Sequence, residues 1–388
     1  MKKISVTHIW KEFDTYNGMV EILLYLSRYY DKKILNFGAC VYNDNGSIYA
    51  EMFKKKGGEL YNLQCKSGIK GHILFFIKLI RFFKKHKPDI VVTHDRRCNL
   101  FGISAAKIAK IPIIISMEDT LGDSATTWIK RLRDRAFHPI LKTLVWSSCD
   151  AFVSSSESIR RQWIRKSCPS KFKVIYPPFN LEKYEAVTRN PKNNRSNDGF
   201  PILGYVGRLS EEKGLQYLIS ALPEVRKKFP NLKLLVAGIG ELGEFFKSLA
   251  KEKEVDDCVL FLGFQENQFK VYEKIDLFIL PSRTEGCPIV VVEAMAMGVP
   301  VIASNVGGTS ELVSDDVGVL IPAKNVKALS TAIISLISKP QKLGEMGKAG
   351  KKRAFTHFHP LNFVRKLEEI YIELSEKKLK MSWLRAQH

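Results

Sequence analysis

Residues 280–298 read LPSRTEGCPIVVVEAMAMG and predict a strand, a short loop and a helix in direct succession. The loop carries Glu285, and Pro288 suits the first turn of the helix. Three consecutive valines favour a strand, but alanine and methionine at 294–297 favour a helix, and Gly298 suits its C-terminal end. The stretch therefore predicts one strand–helix unit of a parallel sheet, in which ligands bind at the carboxyl ends of the strands.

Two carboxylates lie on either side of the start of this predicted helix. Glu285 precedes the helix and Glu293 lies within it, so both can face a ligand that crosses the helix N-terminus. That terminus offers free N–H groups and a positive dipole to phosphate oxygens, and a carboxylate can accept hydrogen bonds from ribose hydroxyls. The alternative is a pair of surface glutamates, one of them bound to Arg283 or Lys274.

A second cluster, GYVGRLSEEKG at residues 204–214, follows the first strand of the chain's second half. Gly207 permits a tight backbone turn, and Arg208 and Lys213 are five residues apart. Two cations in such a loop can hold a diphosphate, with arginine as a bidentate fork and lysine as a point charge. The alternative is a glycine turn with two solvated charges.

The strand–helix alternation extends over the whole chain and restarts after a polar segment, RNPKNNRSNDG, at residues 189–199. Strands are predicted at residues 4–10, 90–93, 111–116, 151–153, 174–175, 202–206, 232–237, 259–261, 277–280 and 299–303. Continuous apolar strands indicate parallel sheets that are covered on both faces. We predict an α/β protein with domains at 1–187 and 201–360, a linker at 188–200, and a C-terminal helix at 361–388 that packs back on the first domain.

Composition limits the functional classes. The chain has 388 residues and a net charge of +21, and residues 1–180 alone hold 31 basic and 15 acidic residues. Such an excess indicates an anionic partner, namely a phosphorylated ligand, a membrane surface or a nucleic acid, although a lysine-rich soluble surface is the simpler explanation. Seven cysteines without a CxxC pair argue against a disulfide scaffold or a zinc site. We expect a cytoplasmic protein.

Together these motifs resemble retaining glycosyltransferases of family 4. The likeness rests on GRLSEEKG, on the spacing of Glu285 and Glu293, and on GVPVIASNVGGTSELV at residues 298–313. It implies the GT-B fold, two facing Rossmann-like domains with the active site in the cleft between them. It also implies that the chain is an enzyme that binds a nucleotide-sugar donor.

The resemblance implies a role for each matching residue. Arg208 and Lys213 would hold the donor diphosphate, Glu285 would contact the transferred sugar, and Glu293 would bind the ribose. Arg208, Lys213 and Glu285 are the implied catalytic residues. The implied donor-binding residues are Gly18, Gly207, Arg208, Lys213, Gly238, Phe264, Glu285, Gly286, Cys287, Pro288, Ile289, Val290 and Glu293.

The sequence also departs from the patterns of related enzymes. It lacks the D-x-D signature of metal-dependent transferases, and its histidines lack metal-ligand spacing, so we expect no metal and no cofactor. Many family members carry a histidine in the loop after the strand at 111–116, where this chain has Met117-Glu118-Asp119. Glu118 is therefore a candidate replacement for that histidine. His94 is a second candidate near the acceptor, with a local structural hydrogen bond as its alternative.

The predicted function is the transfer of a hexose from a UDP- or GDP-sugar to a hydroxyl of a lipid-linked or cell-envelope glycan. Alternatives are a nucleotide-sugar epimerase or phosphorylase, or a non-catalytic GT-B subunit that binds membrane or RNA. Nucleic acid is not expected, because no RRM-type signature is present.

The basic excess also predicts docking on the inner face of the cytoplasmic membrane. The predicted contact is Trp128, Lys130, Arg131 and Arg133. Residues 73–87 are a second amphipathic segment, although their phenylalanines are expected to pack against the sheet.

Overall fold

The computed structural model describes residues 3–13, 18–66, 68–118, 139, 142–145, 147–164, 169–189 and 201–386. Contacts divide the chain into two units. The first comprises Met1–Tyr176 and Leu361–His388, and the second comprises Pro177–Pro360. The predicted domain limits stay predictions, since most of the 188–200 linker lies outside the described residues. The predicted membrane contact at 128–133 also lies outside them.

The first unit contains a parallel sheet in the order β3-β2-β1-β4-β5-β6-β7. Its strands are β1 Ile4–Trp10, β2 Leu35–Val41, β3 Glu59–Asn62, β4 Ile90–His94, β5 Ile113–Glu118, β6 Ala151–Ser154 and β7 Phe172–Val174. Val6 of β1 pairs with Phe37 on one side and with Ile90 on the other. From β1 the chain builds outward first through β2 and β3 and then in the opposite direction from β4, so the β1–β4 boundary is a topological switch point.

Helices cover both faces of this sheet. They are α1 Gly18–Tyr29, α2 Ile48–Lys55, α3 Ile69–His86, α4 Asp95–Ile108 and α5 Glu157–Trp163. On α3, Phe75, Phe82 and Phe83 are buried in the same apolar cluster as Val91 of β4. The expectation that these phenylalanines pack against the sheet is therefore confirmed.

The second unit repeats the design with the sheet order β10-β9-β8-β11-β12-β13. Its strands are β8 Ile202–Val206, β9 Lys233–Ala237, β10 Val259–Gly263, β11 Leu277–Leu280, β12 Val301–Ser304 and β13 Gly318–Ile321. Its helices are α6 Leu181–Thr188, α7 Leu215–Lys228, α8 Gly243–Glu252, α9 Phe269–Tyr272, α10 Ile289–Ala296, α11 Thr309–Leu312, α12 Val326–Ile337 and α13 Pro340–His357. The switch point lies between the neighbouring strands β8 and β11.

The stretch at 280–298 forms the predicted strand–loop–helix unit. β11 ends at Leu280, and α10 spans Ile289–Ala296 after an N-cap at Pro288. The valines are helical because Val291 and Val292 are fully buried, so tertiary packing outweighs their preference for a strand. Gly298 follows the helix with a φ of 71°, the left-handed conformation that glycine adopts most easily.

The last helix, α14, spans Pro360–Ala386 and returns to the first unit. Its side chains Phe363, Leu367 and Tyr371 are buried in the cluster that contains Val6 of β1. Glu368 accepts a hydrogen bond from the backbone N–H of Asp31 at 2.6 Å. None of the helices in the described ranges combines the length and the apolar character that crossing a bilayer would demand.

Candidate functional site

The carboxyl ends of β8 and β11 bring together a lysine and a glutamate that are 72 residues apart in the sequence. Lys213 Nζ lies 2.7 Å from Glu285 Oε1 and 3.0 Å from Oε2. The hydroxyl of Ser282 donates a second hydrogen bond to Oε1 at 2.7 Å. Glu285 is buried, so the lysine charge and the serine hydroxyl stabilise a carboxylate that water reaches poorly. We call Lys213, Glu285 and Ser282 the sheet-edge triad.

Gly214 makes the close approach of these two loops possible. Its φ is 73°, and a Cβ at this position would lie 1.9 Å from the carbonyl oxygen of Pro281. Next to it, the N–H of Arg283 donates to the carbonyl of Glu212 at 2.7 Å. Gly214, the last residue of the GRLSEEKG motif, must therefore be glycine, because the backbones of the loops after β8 and β11 meet there.

Arg208, the other predicted diphosphate ligand, lies in the loop after β8 and is more exposed. Its side chain is 61% exposed, and Nη2 lies 3.6 Å from Glu212 Oε2. The carbonyl of Arg208 accepts a hydrogen bond from the hydroxyl of Tyr205 at 2.9 Å. Burial, and secondarily the charge of Glu285, raises the pKa of Tyr205, which keeps this donor protonated. The loop backbone is thus fixed while the guanidinium stays accessible to an anion.

Gly207 and Gly238 meet where the loops after β8 and β9 cross. A Cβ on Gly238 would lie 1.9 Å from the carbonyl oxygen of Gly207, and the φ of Gly238 is 140°. The N–H of Gly238 donates to the carbonyl of Gly263 at 2.8 Å, which ties the end of β10 to the same place. Directly after it, Phe264 is 72% exposed, an apolar ring available to a ligand at this edge.

Glu293 on α10 is buried and held by two donors from one short segment. Gln268 Nε2 donates to its Oε1 at 2.7 Å, and the hydroxyl of Tyr272 donates to its Oε2 at 3.0 Å. Burial and the adjacent Glu293 charge raise the pKa of Tyr272 well above its ordinary value, so the phenol remains a donor. Because both Glu285 and Glu293 are buried, the alternative of two surface glutamates is wrong.

Residues 286–290 connect this loop to α10. The carbonyl of Gly286 accepts from the N–H of Gly308 at 3.0 Å, and Cys287 is half-buried. Pro288 is the N-cap, and Ile289 and Val290 form the first turn, whose N–H groups lack partners within the helix. The structure therefore places a helix N-terminus directly after Glu285, as the sequence predicts.

In the first unit, His94 ends β4 and belongs to a buried hydrogen-bonded chain. Its Nε2 lies 2.7 Å from Nδ1 of His8, and Nε2 of His8 lies 3.0 Å from the hydroxyl of Tyr371 on α14. Burial lowers the pKa of His94 to about 3, and burial and His94 together lower that of His8. Both rings are therefore neutral near pH 7. These contacts favour the structural alternative for His94, and its catalytic role stays a prediction.

The other two first-unit candidates lie at ends of secondary-structure elements. Glu118 is the last residue of β5 and is buried, and Gly18 is the first residue of α1. Their positions are compatible with roles at the carboxyl edge of the sheet, and both roles stay predictions.

A cavity of about 880 Å³ opens at the carboxyl ends of β1 to β4 in the first unit. Aromatic side chains form part of its wall, with the rings of Tyr42 and Phe75 5.0 Å apart and those of His72 and Phe101 stacked at 5.9 Å. The polar and charged residues that line it include Lys11, Glu12, Asn43, Asp44, Asn45, Gln64, Lys66 and Asp95. Gln64 and Asp95 have φ values of 49° and 61°, a backbone conformation that non-glycine residues adopt rarely and often at functional sites.

Sequence reasoning missed several residues that complete these sites. Ser282 lies three positions before Glu285 and could have been suspected as its local partner. Gln268 and Tyr272 had no such signal, because only the folded sheet brings α9 to α10. The cavity was missed for the same reason, since its lining comes from the loops after β1, β2 and β3 and from helices α3 and α4.

Comparisons with known proteins agree with this architecture. Residues 16–183 match the family described as Glycosyltransferase Family 4, and residues 187–353 match Glycosyl transferases group 1. An uncharacterized glycosyltransferase of Haemophilus influenzae is 31% identical over 266 residues, which are 68% of this chain and 71% of that protein. The alignments with two other relatives cover 67% and 66% of those proteins.

A further relative and a solved structure have more specific names. The Escherichia coli UDP-Gal:alpha-D-GlcNAc-diphosphoundecaprenol alpha-1,3-galactosyltransferase is 25% identical over 317 residues, 78% of this chain and 80% of that protein. The structure of Anabaena HepE in complex with UDP-glucose superimposes with a TM-score of 0.76 at 18% identity, over 95% of this chain and 100% of that one. With the two family matches and the two parallel sheets, these similarities establish that the chain belongs to glycosyltransferase family 4 and has the Rossmann-like domains of the GT-B fold.

Proposed function

We propose that the protein is a retaining glycosyltransferase that moves a hexose from a nucleoside-diphosphate sugar, with UDP or GDP as the leaving group, to an acceptor hydroxyl. The observation that carries this proposal is the sheet-edge triad, which holds a buried carboxylate and a lysine ammonium at the switch point of the second unit. Switch points are where α/β sheets bind nucleotides, and the start of α10 lies directly after Glu285.

The charges of the site suit the departure of a diphosphate. As the bond from the anomeric carbon to the diphosphate oxygen breaks, negative charge grows on that oxygen and needs fixed positive partners. Lys213 has three N–H donors, so its contacts with Glu285 leave at least one for a phosphate oxygen. Arg208 is exposed and adds a bidentate donor. Glu285 would then accept hydrogen bonds from hydroxyls of the transferred sugar.

The nucleoside would occupy the same edge of the sheet. Glu293, which Gln268 and Tyr272 hold in place, would accept hydrogen bonds from the ribose hydroxyls. Phe264 offers an exposed ring to the base. We propose that no metal ion takes part, because Arg208, Lys213 and the helix N-terminus supply the positive charge. Activity is expected to survive EDTA, and its abolition would overturn this part of the proposal.

The cavity of the first unit supports a saccharide as the acceptor. Aromatic rings pack against the C–H faces of sugars, and amides and carboxylates exchange hydrogen bonds with hydroxyls. Among the described residues that line the cavity, two are lysines and three carry carboxylates. This balance favours an uncharged sugar ring over a polyanion, although the surrounding half of the chain is strongly basic. The E. coli relative's name describes a lipid-linked sugar, and we propose a lipid-linked or envelope glycan here.

The donor assignment is tested by thermal unfolding in the presence of UDP, GDP, ADP and the matching nucleotide sugars. A bound nucleotide at about 100 times its Kd adds about 2.7 kcal/mol of stability, so one base should raise Tm clearly more than the others. Incubation with the selected nucleotide sugar and glycan acceptors, followed by mass spectrometry, separates transfer from epimerisation or phosphorolysis. No stabilisation by any nucleotide would overturn the proposal.

The acceptor assignment is tested by Asn43→Ala, with Asn36→Ala as the control. Asn43 lines the cavity, whereas Asn36 is exposed on β2 outside it. Loss of one polar contact is expected to raise the acceptor KM about five- to tenfold while the donor Kd stays unchanged. Equal acceptor KM values for the two variants would remove the cavity from the acceptor site.

A further inference from the structure

One face of α3 presents aliphatic side chains to solvent. Ile73 is 56% exposed, and Leu74 and Ile77 are each 41% exposed. Ile73 and Ile77 lie opposite the buried Phe75 on the same helix, and Leu74 borders them. Single exposed apolar residues are common, but three within two turns of one helix form a contiguous patch.

The same face carries positive charge and no negative charge. At 100° per residue, Lys70, Arg81 and Lys84 share the side of the helix with Ile77, and all three are exposed. Over Ile69–His86 the sequence contains five lysines and arginines and no aspartate or glutamate. The exposed aliphatic residues are therefore bounded along the helix by cations on both sides. We call this face the α3 basic face.

We propose that the α3 basic face docks on an anionic lipid bilayer, with the aliphatic side chains in the headgroup–acyl boundary and the cations on lipid phosphates. The choice of a bilayer over a nucleic acid depends on both the aliphatic side chains and the cations. A nucleic acid would pair with the cations but leave Ile73, Leu74 and Ile77 in water, whereas an anionic bilayer satisfies both. The helix lies on the membrane and does not span it.

The position of α3 next to the cavity gives the docking a consequence for the acceptor. His72 and Phe75, on the same first turns of α3, line the cavity. Phe75 lies on the side of α3 away from Ile73 and Ile77, so a bilayer against the α3 basic face lies about one helix diameter, about 10 Å, from the cavity wall. The sugar of a membrane lipid has to cross only this distance to reach the cavity. Only this consequence rests on the proposed function, and membrane binding itself can be tested without any activity measurement.

The experiment is co-sedimentation of the full chain with vesicles of phosphatidylcholine alone or of phosphatidylcholine with a third phosphatidylglycerol. Binding is expected only to the anionic vesicles and should weaken as salt rises. The double variant Arg81→Gln/Lys84→Gln should lower the partition coefficient about 25-fold, since each cation near an anionic surface contributes about fivefold. The triple variant Ile73→Gln/Leu74→Gln/Ile77→Gln should lower it at least about tenfold.

Matched controls keep the proposal falsifiable. Lys33→Gln/Lys55→Gln removes the same charge from exposed lysines outside α3, and Ile48→Gln/Ile108→Gln removes exposed aliphatic residues of α2 and α4. Both should bind vesicles within about twofold of the parent chain. Far-UV circular dichroism and the thermal unfolding midpoint should be unchanged in every variant, which checks the fold of the first unit. UDP or GDP affinity should also be unchanged, because the proposed donor site lies in the second unit.

Two outcomes would overturn the proposal. One is failure of the parent chain to bind anionic vesicles at low salt. The other is loss of binding in Lys130→Ser/Arg131→Ser/Arg133→Ser while both α3 variants bind normally, which would assign the contact to the segment at 128–133 instead.

Discussion

Lys213 differs from Arg208 because its ammonium would contact two anionic groups, a buried carboxylate and the donor diphosphate. Its ammonium already neutralises the buried Glu285, and the proposed donor adds a diphosphate to the same group. Arg208 is exposed, and its contact with Glu212 is longer. Removal of either cation should therefore weaken donor binding, but only removal of Lys213 should leave a buried charge without its partner.

We expect Arg208→Ala and Lys213→Ala each to weaken UDP or GDP binding at least about tenfold, because charge-assisted hydrogen bonds contribute about 1.5–3 kcal/mol. Lys213→Ala should also lower the free energy of unfolding by about 1–3 kcal/mol, while Arg208→Ala should not. Isothermal titration and denaturant unfolding measure the two effects. Lys247→Ala, which removes an exposed lysine paired with Glu244, is the control. Unchanged nucleotide affinity in both variants would contradict the diphosphate assignment.

The two buried glutamates should respond differently to the loss of charge. Glu285→Gln is expected to lower kcat at least about tenfold with little change in donor Kd, because it acts on the sugar in the transition state. Glu293→Gln should mainly raise the donor Kd, since it contacts the ribose. Steady-state kinetics and nucleotide titration on both variants check this. The reverse pattern would mean that the two roles are exchanged.

Some of the site could be predicted from residue types alone. Arg208, Lys213, Glu285 and Glu293 were identifiable because charged groups beside glycine and a helix start are typical of phosphate sites. The pairing of Lys213 with Glu285 was not predictable, since it depends on the relative height of two strand ends. Loop positions at the sub-ångström level are set by tertiary packing and leave no periodic signal.

At the scale of elements, most strands were predicted, but β2, β3 and β13 were missed. β1, β8 and β11 have the predicted bounds, and the central residues of each strand are buried. β3 and β13 are edge strands of four residues, and β3 reads ELYN, which carries no continuous apolar run. Edge strands are partly solvated, so their sequences are mixed.

Substitution of Gly214 tests whether the contact between the loops after β8 and β11 requires a glycine. Gly214→Ala is expected to lower the free energy of unfolding by more than about 1–2 kcal/mol, the cost of a left-handed non-glycine residue, because its Cβ would also clash with the Pro281 carbonyl. Gly344→Ala is the matched control: it lies in α13 with no atom within 4 Å of its Cβ, so the change should stabilise by about 1 kcal/mol. Equal effects in chemical denaturation would contradict the loop-contact explanation.

At the scale of the whole molecule, the total charge predicted an anionic partner but not its location. The first half carries most of the excess, yet the cavity there is lined by more carboxylates than lysines among the described residues. The cations are instead concentrated on features such as the α3 basic face. Net charge is a sum over the surface, so it cannot say which face carries it.

The buried chain of His94, His8 and Tyr371 should make stability depend on pH. The folded pKa of His94 is about 3, whereas an unfolded histidine takes up a proton near pH 6.5. The contribution of this chain to stability should therefore be complete above pH 6.5 and be lost toward pH 3, by about 1.4 kcal/mol per unit for His94, with His8 adding in the same direction. Denaturant unfolding between pH 7 and 5 measures the slope. His94→Gln should flatten it relative to the control His86→Gln, and an unchanged slope would contradict the assignment.

The return of α14 to the first unit has a consequence for synthesis. Residues 177–360 form an uninterrupted unit, whereas the first unit needs the last segment of the chain to bury Phe363, Leu367 and Tyr371 against its sheet. The chain emerges from the ribosome N-terminus first, so the second unit is complete before α14 is made. The second unit can therefore fold first, while part of the first unit's core stays exposed to solvent until α14 packs on it. Nascent chains stalled before α14 emerges should accordingly yield a protease-resistant second unit and a protease-sensitive first one.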